Sequence, residues 1–192
     1  MSLGPKPNFH EYDVYRALYI IDTKGPIGRH LLRKKLEITE CSVRTILKRL
    51  TKEKLIDSTL AGQVITEQGK KSLSSKHFFD KALFYDAGNL SLGDYDFMII
   101  SPDIKNRIKN GLQQRDEAIK IGGDGATVLI YENNKFYMPP GFMDLEETYP
   151  DEIEKIRSDI KLSEGDTLII GSGNTKRLAQ LAAMAAFDSL KI

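Results

Sequence analysis

The side chains most able to do chemistry lie between residues 44 and 52: Arg44, Thr45, Lys48, Arg49 and Lys52. Cations recurring every three or four residues share one side of a helix, and a row of them attracts a phosphate backbone. Val43, Ile46, Leu47 and Leu50 fall on the other side as an apolar stripe, so the helix has one face to anchor it and one to offer. Glu40, Cys41 and Ser42 stand at its N-terminal end, the end that reaches base edges when such a helix enters a major groove.

A second set is spread over the C-terminal half. Gly171, Ser172, Gly173, Asn174 and Thr175 separate an apolar run from a helical one, followed by Lys176 and Arg177. Glycines let backbone approach a ligand, and amides at a helix start attract anions. The run matches neither GxxxxGK[ST] nor GxGxxG. It reads either as an anion site or as a plain tight turn. Arg115, Asp116 and Lys120 precede a cluster containing Gly123, Gly125 and Thr127. They read either as the surround of a small polar effector, or as an Asp116–Lys120 pair on a wet helix before a turn. Met138–Met143, with two prolines, reads as a stiff loop lining a pocket, a dimer contact or a buried connection. The alanine-rich run from Ala179 to Ala186 suits close packing in the core.

Other chemistries lack their residues. The three histidines, His10, His30 and His77, are scattered without cysteine or carboxylate clusters at metal-ligand spacing, so no metal or other cofactor is expected. No Ser/His/Asp or Cys/His set is available to residues 79–192, and an Asp116–Asp124 carboxylate pair cannot be told from surface charge, so no enzyme is expected. The one cysteine, Cys41, excludes an internal disulfide, which fits a reducing, cytoplasmic setting. No apolar run is long enough for a membrane helix, so no membrane partner is expected. Met1-Ser2-Leu3 reads as a cloning remnant, not as the opening of a signal peptide.

The elements that must position these residues follow from periodicity and punctuation. Val14, Ala17, Leu18 and Ile21 predict a helix over 10–22, stopped by Gly25-Pro26. Leu31, Leu32 and Leu36 are expected to face inward from a second helix over 28–36. Thr39 suits the N-cap of a third over 40–54. Residues 55–65 predict a hairpin, and Thr66 caps a further helix. Beyond 78 the pattern becomes mixed: strands near 82–85, 95–100, 127–131, 135–138 and 167–170, and helices near 112–121, 150–160 and 175–190. The expected fold class is α+β, with a helical domain over 1–77 and a mixed α/β domain over 78–192. Charge divides the same way. Residues 1–78 carry fifteen Lys and Arg against eight Asp and Glu, a net +7, and the remainder carries thirteen against nineteen, a net −6.

The runs Gly25–Gly28, Ser42–Leu50, Lys54–Ile56 and Val64–Gly69 resemble archaeal winged helix-turn-helix transcriptional regulators with a C-terminal domain of unassigned function. The resemblance implies three helices plus a short hairpin wing, double-stranded DNA as partner with Ser42, Arg44, Thr45 and Lys48 facing it, contacts from Gln63 and nearby wing residues to the DNA backbone, and a two-fold homodimer. The wing departs from that pattern in being short and lacking arginine. The leading expectation is a ligand-responsive regulator whose second domain takes a small anionic or polar effector or forms the dimer. An enzyme with an accessory winged helix, and a protein-interaction adaptor, are the alternatives.

Overall fold

The structure, a computed structural model, describes residues 7–75, 81–102, 104–141, 143 and 145–190. The chain divides into two compact units, Met1–His77 and Phe78–Ile192. Both are α+β. The first joins helices to a two-stranded sheet, and the second builds helices on a five-stranded antiparallel sheet.

The first unit runs α1 (Glu11–Lys24), α2 (Arg29–Leu36), α3 (Glu40–Lys52), β1 (Ile56–Thr59), β2 (Gly62–Ile65) and α4 (Glu67–Ser74). Three of its four helix starts are capped by side chains: His10 and Asp13 form a reciprocal box on α1, Thr39 Oγ accepts from the Ser42 amide, and Thr66 Oγ from that of Gly69, while α2 starts at Gly28 without one. Each cap satisfies a donor that the first helical turn would leave unpaired. Gly25 closes α1 in extended conformation, and a Cβ there would come 2.4 Å from Ile21 O. Glycine stands there for lack of space, not for a left-handed backbone. The core collects Leu18 and Ile21 of α1, Leu32 and Leu36 of α2, Val43, Ile46 and Leu50 of α3, and Ile56 of β1. Leu31 departs from expectation. It is exposed, because an eight-residue helix buries an i, i+4 pair and turns its neighbour outward. Ile27, between α1 and α2, pairs with Gln63 through both backbone groups and adds a rung to the β1–β2 hairpin.

The second unit contains β3 (Ala82–Phe84), β4 (Tyr95–Ser101), α5 (Leu112–Lys120), β5 (Gly125–Glu132), β6 (Lys135–Tyr137), α6 (Leu145–Thr148), α7 (Pro150–Asp159), β7 (Thr167–Gly173) and α8 (Lys176–Asp188). The sheet order is β3-β4-β7-β5-β6, every neighbour antiparallel. Asn133 and Asn134 both have positive φ, as a two-residue turn between β5 and β6 requires. β7 is central and buried along its whole length. Met98, Leu129, Leu168 and Ile170 point to one face, where Leu145, Ile153 and Ile156 of α6 and α7 cover them. The other face carries α8, with α5 beside it.

No helix of the described residues is long and apolar enough to cross a membrane.

Candidate functional site

In α3 the residues singled out from the sequence separate into three groups. Arg44, Lys48 and Lys52 are exposed and recur at i, i+4 and i+8 along one side, while Val43, Ile46 and Leu50 are buried on the other. Lys48 and Lys52 have no ion-pair partner among the described residues. Arg44 and Arg29 of α2 both reach Glu40 Oε1, at 2.9 and 3.1 Å. The hydrogen bond from Arg44, then the charge of Arg29, holds the Glu40 carboxyl below its usual range, so it is an anion at neutral pH. The start of α3 therefore presents two arginines organised around one carboxylate.

Thr45 is half-buried, and its hydroxyl donates to the Cys41 carbonyl at 3.0 Å. Arg49 sits at the flank, bound to Glu11 of α1 and, at 2.9 Å, to Glu53; these hydrogen bonds raise its pKa further. It ties α3 to α1. Ser42 is a correction: it is fully buried. Its Oγ donates to Asn8 O and accepts from Asn8 N, both at 3.0 Å, and lies 2.9 Å from Thr39 Oγ. A small hydroxyl one residue from Val43 falls on the core side, where it fastens the segment before α1. Gln63 is half-buried in β2, its Oε1 accepting from Ser58 Oγ at 2.9 Å. The hairpin tip beside it carries Leu60 in full exposure.

Sequence reasoning missed two residues of this unit. Asp13 and Arg16 are buried in α1 as an ion pair at 2.8 Å. The Arg16 guanidinium also donates to Leu36 O at 3.1 Å, and Asp13 Oδ2 accepts from His10 N at 2.9 Å. The pair locks α1 to the end of α2. An i, i+3 pair reads the same on a wet face, so only burial reveals it.

In the second unit the glycine-rich run is not a loop. Gly171, Ser172 and Gly173 belong to β7 and are buried. A Cβ on Gly171 would lie 2.0 Å from Ala183 N, and one on Gly173 2.7 Å from Ala179 N. These glycines exist so that α8 can seat its alanines directly on the strand, which displaces the anion-site expectation. Asn174 alone links β7 to Thr175, the N-cap of α8, whose Oγ accepts from Leu178 N at 3.1 Å.

Gly123 likewise yields space to α8, since a Cβ there would come 2.7 Å from Ala182 Cβ. Gly125 has φ 155° and opens β5 beside the stem of Arg115. Thr127 Oγ donates to Leu90 O at 2.7 Å and fixes the turn over 88–90. The expected Asp116–Lys120 pair gives way to two others: Arg115 binds Asp116 at 2.8 Å, and Lys120 binds Glu117 at 2.6 Å. Arg115, Asp116 and Lys120 thus stand on the outer side of α5 and do not converge with the β7 glycines on one site.

Two cavities lie elsewhere in this unit. One, of about 270 Å³, is lined by Phe84, Tyr85, Asp94, Tyr95, Asp96 and Lys176 among others. Lys176 Nζ stands 5.7 Å from the Phe84 ring and 5.9 Å from that of Tyr95. Burial, then the charge of Asp159, pushes the Tyr85 phenol up to about 12, so it is a neutral donor in this wall. Asp96 is buried and holds the 87–91 turn, its Oδ2 accepting from Ala87 N and Ser91 Oγ. The other cavity, about 370 Å³, is lined by Lys105, Lys109, Tyr137, Pro139, Pro140 and Gly141 among others. It takes in part of the stiff loop, whose Met138 packs on the core. Phe142 of that loop and His77 at the junction lie outside the described residues.

Fold and surface together define a two-unit α+β protein, with a basic unit of four helices and a two-stranded hairpin ahead of an antiparallel-sheet unit. The chain belongs to the family of the domain of unknown function DUF4443, whose profile matches residues 92–190. Residues 12–71 match the PH0730-like N-terminal domain. Among solved structures, the hypothetical protein PH0730 from Pyrococcus horikoshii OT3 is similar, with a TM-score of 0.71 and 28% identity, over 96% of this chain and 94% of that one. No curated protein matches.

Proposed function

We propose that the chain is a sequence-specific double-stranded DNA-binding transcriptional regulator. Its first unit acts as a winged helix-turn-helix, α3 entering the major groove and the β1–β2 hairpin lying on the flanking backbone. The observation that carries this reading is the far face of α3: Arg44, Lys48 and Lys52 in one exposed row on a helix whose other face is bound into the core. Lys48 and Lys52 supply phosphate contacts. Arg44, nearer the N-terminal end, is the side chain suited to a guanine edge. Glu40 keeps Arg44 oriented before DNA arrives and is itself able to accept from a cytosine amino group. The second unit supplies the dimer contact and takes a small polar effector, with the cavity beside Lys176 as its place.

The test is a fluorescence titration of the full chain against a labelled duplex from upstream of its own gene and against random duplex, at two salt concentrations. A preference for the upstream duplex, with affinity falling as salt rises, is the expected outcome. Equal or undetectable binding to both would remove the reading.

A further inference from the structure

The outer stripe of α5 has a symmetry that its inner face lacks. The helix buries Gln114 and Ala118, with Gln114 Nε2 donating to Ser189 Oγ at 2.9 Å. Outward it presents Leu112, Arg115, Asp116 and Ile119, spaced i, i+3, i+4, i+7. Leu112 and Ile119 are 47% and 50% exposed, and the two charged side chains 52% and 51%. Read in either direction, the stripe runs apolar, charged, charged, apolar, with the two signs exchanged. When two copies of this helix lie antiparallel about a two-fold axis, each residue meets its opposite. Leu112 faces the partner's Ile119, and Arg115 faces the partner's Asp116. A parallel arrangement would set Arg115 on the partner's Arg115.

We propose that α5 is the two-fold contact of a homodimer, packed antiparallel on α5 of a second copy of this chain. This rests on the dimer in the regulator reading and names its surface. In the single chain Arg115 bonds to its own Asp116. Such an exposed pair contributes little, so exchanging it for two crossed pairs at the axis is cheap. The leucine and isoleucine at the ends shield those pairs from water, and the charge pattern sets register and direction. A two-fold contact of this kind is self-complementary, as closed symmetry requires. A nine-residue helix pair covers less than the ~800 Å² per partner of a standard interface, so the dimer is weak and concentration-dependent.

The test is sedimentation velocity of the full chain from micromolar to sub-millimolar concentration, for the wild type, Arg115→Glu, Asp116→Arg and the double exchange. The wild type dimerises, and each single reversal raises the midpoint concentration by at least about tenfold, because like charges then meet at the axis. An equimolar mixture of the two single variants associates again, and so does the double exchange. A wild type that stays monomeric, single variants that dimerise like it, or a mixture that fails to recover would each overturn the proposal. Thermal midpoints of the variants show that the fold is intact. Binding to duplex is read separately through α3, so failure of one reading is distinguishable from failure of the other.

Discussion

Ser42 shows how a hydroxyl at the start of a helix can face either way. In the sequence it stands among residues suited to nucleic acid, yet its Oγ is spent on the Asn8 backbone and on Thr39. Ser42→Ala is therefore expected to lower stability by about 1–2 kcal/mol in urea denaturation while leaving duplex affinity of the folded chain unchanged. A loss of affinity with unchanged stability would return Ser42 to the exposed face. The Asp13–Arg16 pair makes a stronger demand. Arg16→Met would strand a buried carboxylate, and a loss of about 3–5 kcal/mol is expected by the same measurement. Neither role was legible beforehand, because residue type and spacing do not say how deep a helix sits. Thr39 and Thr66 were legible, since a capping threonine acts through its own next turn and needs no distant partner.

At the level of elements, periodicity placed the longer helices and the strands of both units close to where they stand, because each bears a local pattern; the four-residue α6 was missed, being too short to carry one. It failed where a sequence cue has two physical meanings. Gly171 and Gly173 read as a loop that could cradle an anion, since glycine marks both turns and close approaches. Here the approach is made by α8, a helix packed on the strand that precedes it, and β7 runs on through Gly173. Gly171→Ala forces a methyl against the α8 backbone and is expected to cost at least about 1–3 kcal/mol in thermal or urea unfolding. Asn174→Ala, in the exposed link to α8, should stay within about 0.5 kcal/mol of the wild type. Equal effects at the two positions would mean that α8 does not seat on the strand as described. How β4, β5 and β7 lie side by side was not legible, because they meet across long separations that no local pattern encodes.

At the scale of the whole molecule, the first unit carries a net positive charge and the second a net negative one, chiefly because the acidic residues are concentrated in the second. That division was legible by counting, and it fits a first unit drawn to a polyanion and a second that is not. What counting could not give is which cations are free to act. Arg49 is held between Glu11 and Glu53, whereas Lys48 and Lys52 have no ion-pair partner among the described residues. The central claim thus narrows to one face of α3.

It is tested most directly by titrating a labelled duplex with the Lys48→Glu/Lys52→Glu variant across a salt series. Lys135→Glu/Lys161→Glu, two exposed lysines of the second unit, serves as a control of equal charge change. The account predicts that the α3 variant loses affinity by more than about tenfold. Its slope of log affinity against log salt should fall by about two, one for each phosphate contact removed, while the control stays close to wild type. Equal losses in both variants would contradict it, since the attraction would then belong to net charge and not to α3.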